Sequence, residues 1–130
     1  MIKEQDQAAQ TRSDPQAVSH RLIQDKNHHD LEALVANFSP DYISDQPFHP
    51  ERYITGQAGV RKNWSFFFAT IPDIQIEILN EAVRGDMVWA DLHYHGMQTD
   101  GKTYNVRGVT ISRIQADQIK WMRLYIEPAP

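Results

Sequence analysis

Met87-Val-Trp-Ala-Asp-Leu-His-Tyr-His-Gly-Met97 is the stretch that organises the chain. Side chains of a β-strand alternate between two faces, and neighbours on one face lie roughly 6.5 Å apart. Read as a strand, one face carries Met87, Trp89, Asp91, His93, His95 and Met97. The other carries Val88, Ala90, Leu92, Tyr94 and Gly96, a packing surface. Three ionisable groups in succession, bracketed by a tryptophan and two methionines, admit two readings. Asp91, His93 and His95 either face water on an antiparallel sheet, or they form a site in which one ligand touches two of them.

Turn signals flank this strand on both sides. Thr99-Asp100-Gly101 is a hairpin signal because Asp-Gly supports positive φ, and Arg84-Gly85-Asp86 is the turn before it. Beyond the hairpin, Lys102 to Ile114 alternates Tyr104, Val106, Gly108 and Thr110 against Asn105, Arg107, Val109 and Ile111. Gln115 to Gln118 turns again, and Ile119 to Glu127 makes the last strand before Pro128. Upstream, Ile74, Ile76 and Ile78 alternate with Gln75 and Glu77 from Asp73 to Leu79.

Earlier still, the period is helical. Asp14-Pro15 is a helix start, a capping carboxylate followed by proline at the first position. Ala17, Val18, Arg21, Leu22 and Asp25 give an incomplete stripe to about Asn27. Asp30 to Asn37 is a second short helix, stopped by Ser39-Pro40. Asp41 to Gln46 is a short strand, with Tyr42 and Ser44 on one face and Ile43 and Asp45 on the other. Pro47 to Arg52 is too rich in proline for regular structure and reads as a loop or lid. Thr55 caps a third helix to about Thr70, with Val60, Trp64, Phe67 and Phe68 as its core stripe. Helices followed by hairpin-linked strands predict an α+β fold, with three helices on the concave side of a curved antiparallel sheet. Met1 to Ser13 reads as a flexible lead-in and 14–127 as one domain.

At 130 residues, 41% hydrophobic and 23% charged, the chain has the length and composition of a single globular domain. Its net charge of −4 and scattered basic residues argue against a nucleic-acid partner. With no cysteine, disulfides and thiolate chemistry are excluded. No apolar run reaches the length of a membrane span, and the polar start has no signal-peptide core. The expectation is a cytoplasmic protein with no membrane partner.

The order of elements and several local motifs together resemble the cone-shaped α+β barrel of the nuclear transport factor 2-like superfamily, and the SnoaL-like polyketide cyclases within it. The matching pieces are Gly56, Val60, Trp64 and Phe67 leading into Pro72-Asp73, then Trp89 with His95-Gly96, then Val106-Arg107-Gly108-Val109-Thr110. In this resemblance His95 falls on the histidine of the cyclases' Thr-His-Thr-Gly strand. Thr110 falls where they often have an acidic residue. Against limonene epoxide hydrolases, only Asp91 of the Asp-Arg-Asp triad has a counterpart, Leu124 replaces an acid, and Asp45 stands for an asparagine, so epoxide hydrolysis is not expected. The resemblance implies that the Asp91–His95 face points into a cavity, with Asp91, His95 and His93 as catalytic candidates. Asp45, Trp64, Phe67, Phe68, Trp89, Tyr104, Val106, Thr110 and Leu124 are the substrate-binding candidates.

His93 and His95 also have the spacing of a metal pair, with Asp91, Asp45 or His49 as a third ligand, yet no metal or other cofactor is expected. His28-His29 reads as a solvated turn, and Arg107 and Arg123 as outward ion-pairing residues. No phosphate-binding glycine loop or serine-nucleophile motif is present. The function expected is acid–base chemistry (isomerisation, cyclisation or dehydration) on a small hydrophobic polyketide- or terpenoid-like substrate. The alternative is a non-catalytic ligand-binding or dimerisation module. Val109 and Ile111 predict a homodimer through the outer sheet face.

Overall fold

The computed structural model describes residues 14–130, so the expected lead-in at 1–13 lies outside the described residues. Helix α1 (Pro15–Asn27) starts where Asp14 accepts a hydrogen bond from the Ala17 amide at 3.1 Å. Helix α2 (Leu31–Ala36) starts in the same way at Asp30, which accepts from Ala33. Helix α3 (Gly56–Thr70) follows Thr55 in extended conformation, but the Thr55 hydroxyl makes no capping hydrogen bond, contrary to expectation. A 3-10 turn, Pro50–Arg52, lies within the proline-rich loop.

The strands are β1 (Phe38–Asp45), β2 (Ile54–Thr55), β3 (Gln75–Arg84), β4 (Met87–Met97), β5 (Thr103–Gln115) and β6 (Gln118–Pro128). They form one open six-stranded sheet in the order β2-β1-β6-β5-β4-β3. The fold is the expected α+β arrangement with helices N-terminal to the long strands. Two details differ from the expectation. The sheet does not close, and it is mixed, because β1 runs parallel to β6. Helix α3 and strands β2 to β5 separate these two strands along the chain, so no hairpin constrains their direction.

The helices cover one face of the sheet, and the core lies between them. Val88, Ala90, Leu92 and Tyr94 of β4 are all buried there. Across the β4–β5 ladder they continue into Ser112, Thr110, Gly108 and Val106. At Gly108 the chain crowds β6: a Cβ there would sit 2.0 Å from the Tyr125 carbonyl oxygen. The absent side chain is what lets the two long strands bend together over the helices. A register shift between Ile78 and Asn80 of β3 has a second consequence. It brings Glu81 opposite Ala90, on the covered side, where His20 of α1 meets it at 2.6 Å.

Candidate active site

Sheet and helices enclose a cavity of about 780 Å³. Phe38, Val60, Trp64, Ile74, Val106 and Met122 give it mostly apolar walls. Its mouth is edged by exposed side chains, among them Arg52, Tyr53, Lys62, Phe66 and Glu127. Four polar side chains line it from buried positions: Lys26, Tyr42, Ser44 and Tyr94. Among the described residues, the buried Ser44 hydroxyl has no hydrogen-bond partner of normal geometry. A cavity of this size and make-up, apolar with a few inward polar groups, suits a small organic ligand.

Lys26 is the outstanding group among them. Val18, Leu22 and Lys26 follow at intervals of four along α1, so all three point to the covered side. Lys26 is only 5% exposed. Its Nζ stands 4.4 Å from the centroid of the Trp64 ring. Among the described residues no carboxylate forms an ion pair with it. Burial therefore lowers its pKa from 10.5 to about 7. The indole face favours the charged form by about 2 kcal/mol or more when desolvated. A fall of that size from the ordinary value corresponds to on the order of 5 kcal/mol, so burial outweighs the ring. The result is an amine that is partly neutral at neutral pH.

Burial pushes the Tyr42 and Tyr94 phenols up, and Tyr104 in the same direction. At neutral pH all three are hydroxyl groups able to donate a hydrogen bond. A second, small void of about 10 Å³ adjoins the cavity and shares Lys26, Tyr94 and Met122 with it. Ser19, Thr110 and Ser112 line this void, which has room for one water at most.

The amino-acid sequence from residue 20 to residue 122 matches the SnoaL-like domain family. The chain belongs to that family. No curated protein matches it significantly. Among solved structures, a SnoaL-like candidate polyketide cyclase from Jannaschia sp. CCS1 superposes with a TM-score of 0.75 at 18% identity, covering 87% of this chain and 85% of that one. IdmH, a candidate polyketide cyclase from Streptomyces antibioticus, gives 0.72 at 21% identity, covering 88% and 92%. A protein with a ketosteroid isomerase-like fold from Catenulispora acidiphila, solved with trimethylamine, gives 0.73 at 17% identity, covering 83% of each chain. Likeness at such low identity establishes the fold that the SnoaL-like chain shares with them.

Within this SnoaL-like fold the expected site residues divide. Trp64, Phe67, Tyr104, Val106 and Leu124 line the cavity. Thr110 lines the small void beside it. Phe68 instead stacks on His29, with ring centroids 4.7 Å apart. Trp89, Asp91, His93 and His95 are not on the cavity side at all. They alternate with the buried Val88, Ala90, Leu92 and Tyr94 and so occupy the convex face. Asp45 alternates with buried Ser44 in the same way, and its carboxylate meets Arg123 through two contacts of 3.0 and 3.2 Å.

The expectation that the Asp91–His95 face lines the cavity is therefore corrected. Helices cover whichever face is apolar, and on β4 that face is the even-numbered one. His95, which the resemblance places on the histidine of Thr-His-Thr-Gly, stands on the convex face, whereas its neighbour Tyr94 lines the cavity.

On the convex face Asp91 lies 3.7 Å from Arg107 Nη2. His93 Nε2 is 2.5 Å from Asn105 Oδ1, and His95 Nε2 is 3.1 Å from Glu77 Oε1. Donor atoms of Glu77, His93 and His95 all fall within 4.8 Å of one another. Of the described residues, this is the set that could hold a metal ion. Its third member is Glu77 from the neighbouring strand, not Asp91, Asp45 or His49. Within this set His95 and Glu77 also share a hydrogen bond.

The residues missed in the sequence are Lys26, Tyr42, Ser44 and Tyr94. For Lys26 a signal existed: a lysine extending the Val18–Leu22 stripe by one more turn. For Tyr42, Ser44 and Tyr94 the signal was their place on the apolar side of a strand, which by itself reads as packing.

Proposed function

We propose that the protein is a small-molecule enzyme performing cofactor-free acid–base chemistry on a hydrophobic, carbonyl-bearing substrate of polyketide-like character. The observation that supports this reading is Lys26, an amine held inside an apolar cavity of about 780 Å³ with no counter-ion among the described residues. With its pKa near 7, the amine accepts and returns a proton at neutral pH, the condition general acid–base catalysis needs. A neutral phenol such as Tyr94 donates a hydrogen bond to the carbonyl oxygen as negative charge develops there. Proton removal beside a carbonyl, followed by reprotonation, ring closure or loss of water, covers the isomerase, cyclase and dehydratase outcomes. Trp64, Phe67, Val106 and Leu124 supply apolar contact and exclude water, which strengthens each polar contact inside.

The test is a thermal-shift screen of hydrophobic ketones, lactones and polyketide-like fragments, followed by turnover assays on the ligands found. Lys26→Met is expected to lower turnover by about 100- to 10,000-fold while ligands still bind. Full turnover in that variant overturns the proposal. One observation favours a non-catalytic binding module: among the cavity's lining residues the single carboxylate is Glu127, exposed at the mouth. That reading predicts binding without turnover in the wild-type protein.

A second copy of the chain belongs, in this proposal, on the convex face, where Trp89, Val109, Ile111 and Trp121 lie only half-buried. Light scattering should return about twice the 15.1 kDa chain mass, and a monomer would refute the dimer.

A further inference from the structure

We infer that Lys26 is a covalent catalyst, its Nζ condensing with a ketone or aldehyde carbon of the substrate to form an imine within the cavity. This inference rests on the reading that the cavity is a catalytic site for a carbonyl compound, and it names the bond through which Lys26 acts.

Position is the first argument. Lys26 shares the boundary between the large cavity and the small hydroxyl-lined void with Tyr94 and Met122. Its aliphatic stem belongs to the Val18–Leu22 face of α1, yet the amine at its end has no carboxylate to pair with among the described residues. A lysine serving only to pack would bring its head to water. At 5% exposure this one does not. A leucine or methionine there would fill the space without burying an ionisable group, and burying a charge without a partner is costly. The other lysine at the cavity, Lys62, lies at the mouth and is exposed.

Reactivity follows from that position. A protonated lysine has no electron pair to offer, and desolvation in an apolar pocket is one of the recognised ways to keep an amine nucleophilic. The Lys26 pKa of about 7 leaves a substantial neutral fraction at physiological pH.

The step balances without a further reagent. The neutral amine adds to the carbonyl carbon, giving a carbinolamine. Its hydroxyl leaves as water, taking both protons of the original amine, and a C=N bond remains. Protonation of that nitrogen makes it an electron sink, so a neighbouring C–H is released more easily than beside the parent carbonyl. The enamine so formed can attack a second carbonyl in the same molecule, closing a ring by a new C–C bond. Water then adds back to the imine, which releases the product and restores Lys26. The adjoining void, lined by Ser19, Thr110 and Ser112, is about the size of a single water. The chemical class of substrate is an apolar molecule with at least one unhindered ketone or aldehyde; a poly-β-carbonyl chain fits both the walls and the chemistry.

The experiment uses the full chain and two probes. Pentane-2,4-dione, a β-diketone, forms a stable enaminone with a reactive neutral lysine and gives a new near-ultraviolet absorption. A hydrophobic aldehyde, 2-naphthaldehyde, is fixed as a secondary amine by cyanoborohydride and located by peptide mass mapping. One fast adduct per chain is expected, at Lys26, forming about 10-fold or more faster at pH 8 than adducts at the exposed Lys62 and Lys102. Lys26→Met should remove the fast adduct and leave the slow ones.

Peptide mapping of the wild-type protein decides the matter even if the variant fails to fold. Modification confined to exposed lysines, with Lys26 untouched, overturns the imine. If Lys26→Met nevertheless loses turnover in that case, the acid–base reading survives alone. If turnover is intact, both fall.

Discussion

The two faces of β4 differ by a single residue step and have opposite chemistry. Asp91, His93 and His95 hold the obvious catalytic residue types, yet they stand on the convex side and pair with Arg107, Asn105 and Glu77. Ala90, Leu92 and Tyr94 look like packing, yet they form the wall that Lys26 faces across the core. A functional group is recognised less by its type than by what surrounds it. On the convex side each ionisable group has found a partner in partial contact with water, the ordinary fate of surface charge. On the concave side an amine and an unsatisfied hydroxyl, Ser44, are buried around open space.

The largest effect that would separate the faces is kinetic. Removing the amine in Lys26→Met should lower turnover by about 100- to 10,000-fold, the range of general acid–base contributions. Asp91→Asn and His95→Gln should change it less than about 3-fold, since neither side chain reaches the cavity. Steady-state assays with any ligand found by the screen make the comparison. A loss on the convex side as large as that on the concave side breaks it.

Next in size is the pH dependence of stability. The unfolded chain binds a proton at Lys26 up to about pH 10.5, whereas the folded chain releases it near 7. Between these values the unfolded state holds more protons, so stability rises with pH. The penalty is fully present below about pH 7 and relieved as pH climbs toward 10.5. Full relief amounts to on the order of 5 kcal/mol. Tyr42 and Tyr94, whose phenols are pushed up by burial, act in the opposite sense once unfolded tyrosines ionise near pH 10, so the gain ends there. Urea titrations from pH 6 to 10 should show the rise in wild type and little slope in Lys26→Met. A flat wild-type profile would mean that the amine is not desolvated.

The curvature that makes one face concave can be tested at Gly108. A Cβ placed 2.0 Å from the Tyr125 carbonyl oxygen and 2.6 Å from Ile126 Cα cannot be accommodated without moving β6. Gly108→Ala should cost roughly 2–4 kcal/mol, the range for overpacking plus backbone displacement. A substitution that leaves the denaturation midpoint unchanged would show that the strands do not approach so closely.

Smallest of all is the convex ion pair of Asp91 with Arg107, both members well exposed at 3.7 Å. Asp91→Asn should shift stability by less than about 1 kcal/mol, and less still at high salt. Thermal melts at low and high salt read this directly.

Much of this was legible from the chain itself. The N-cap at Asp14, the bounds of β4, and the hairpin at Asp100-Gly101 follow from local chemistry that needs no distant partner. The hairpin even held the answer to the facing question. Once the turn centres on Asp100, Asp91 pairs with Val109 and His95 with Asn105, residues whose alternation opposes Tyr104, Val106 and Thr110. Placing both Thr110 and Asp91 in the cavity was inconsistent with that register. Lys26 was harder to read, because a lysine at the end of an amphipathic stripe ordinarily turns its head to water.

Sequence alone therefore determined the order of the helices and long strands, the α+β class, the turn of the β4–β5 hairpin and the alternation along β4 and β5. These depend on interactions between residues close along the chain. Tertiary structure alone decided which set the helices cover, the parallel pairing of β1 with β6, and the confinement of Lys26 beneath Trp64. Each of these joins segments far apart in the chain. The chemistry of Lys26 depends on how much water its distant neighbours exclude, a quantity no stretch of sequence around residue 26 contains.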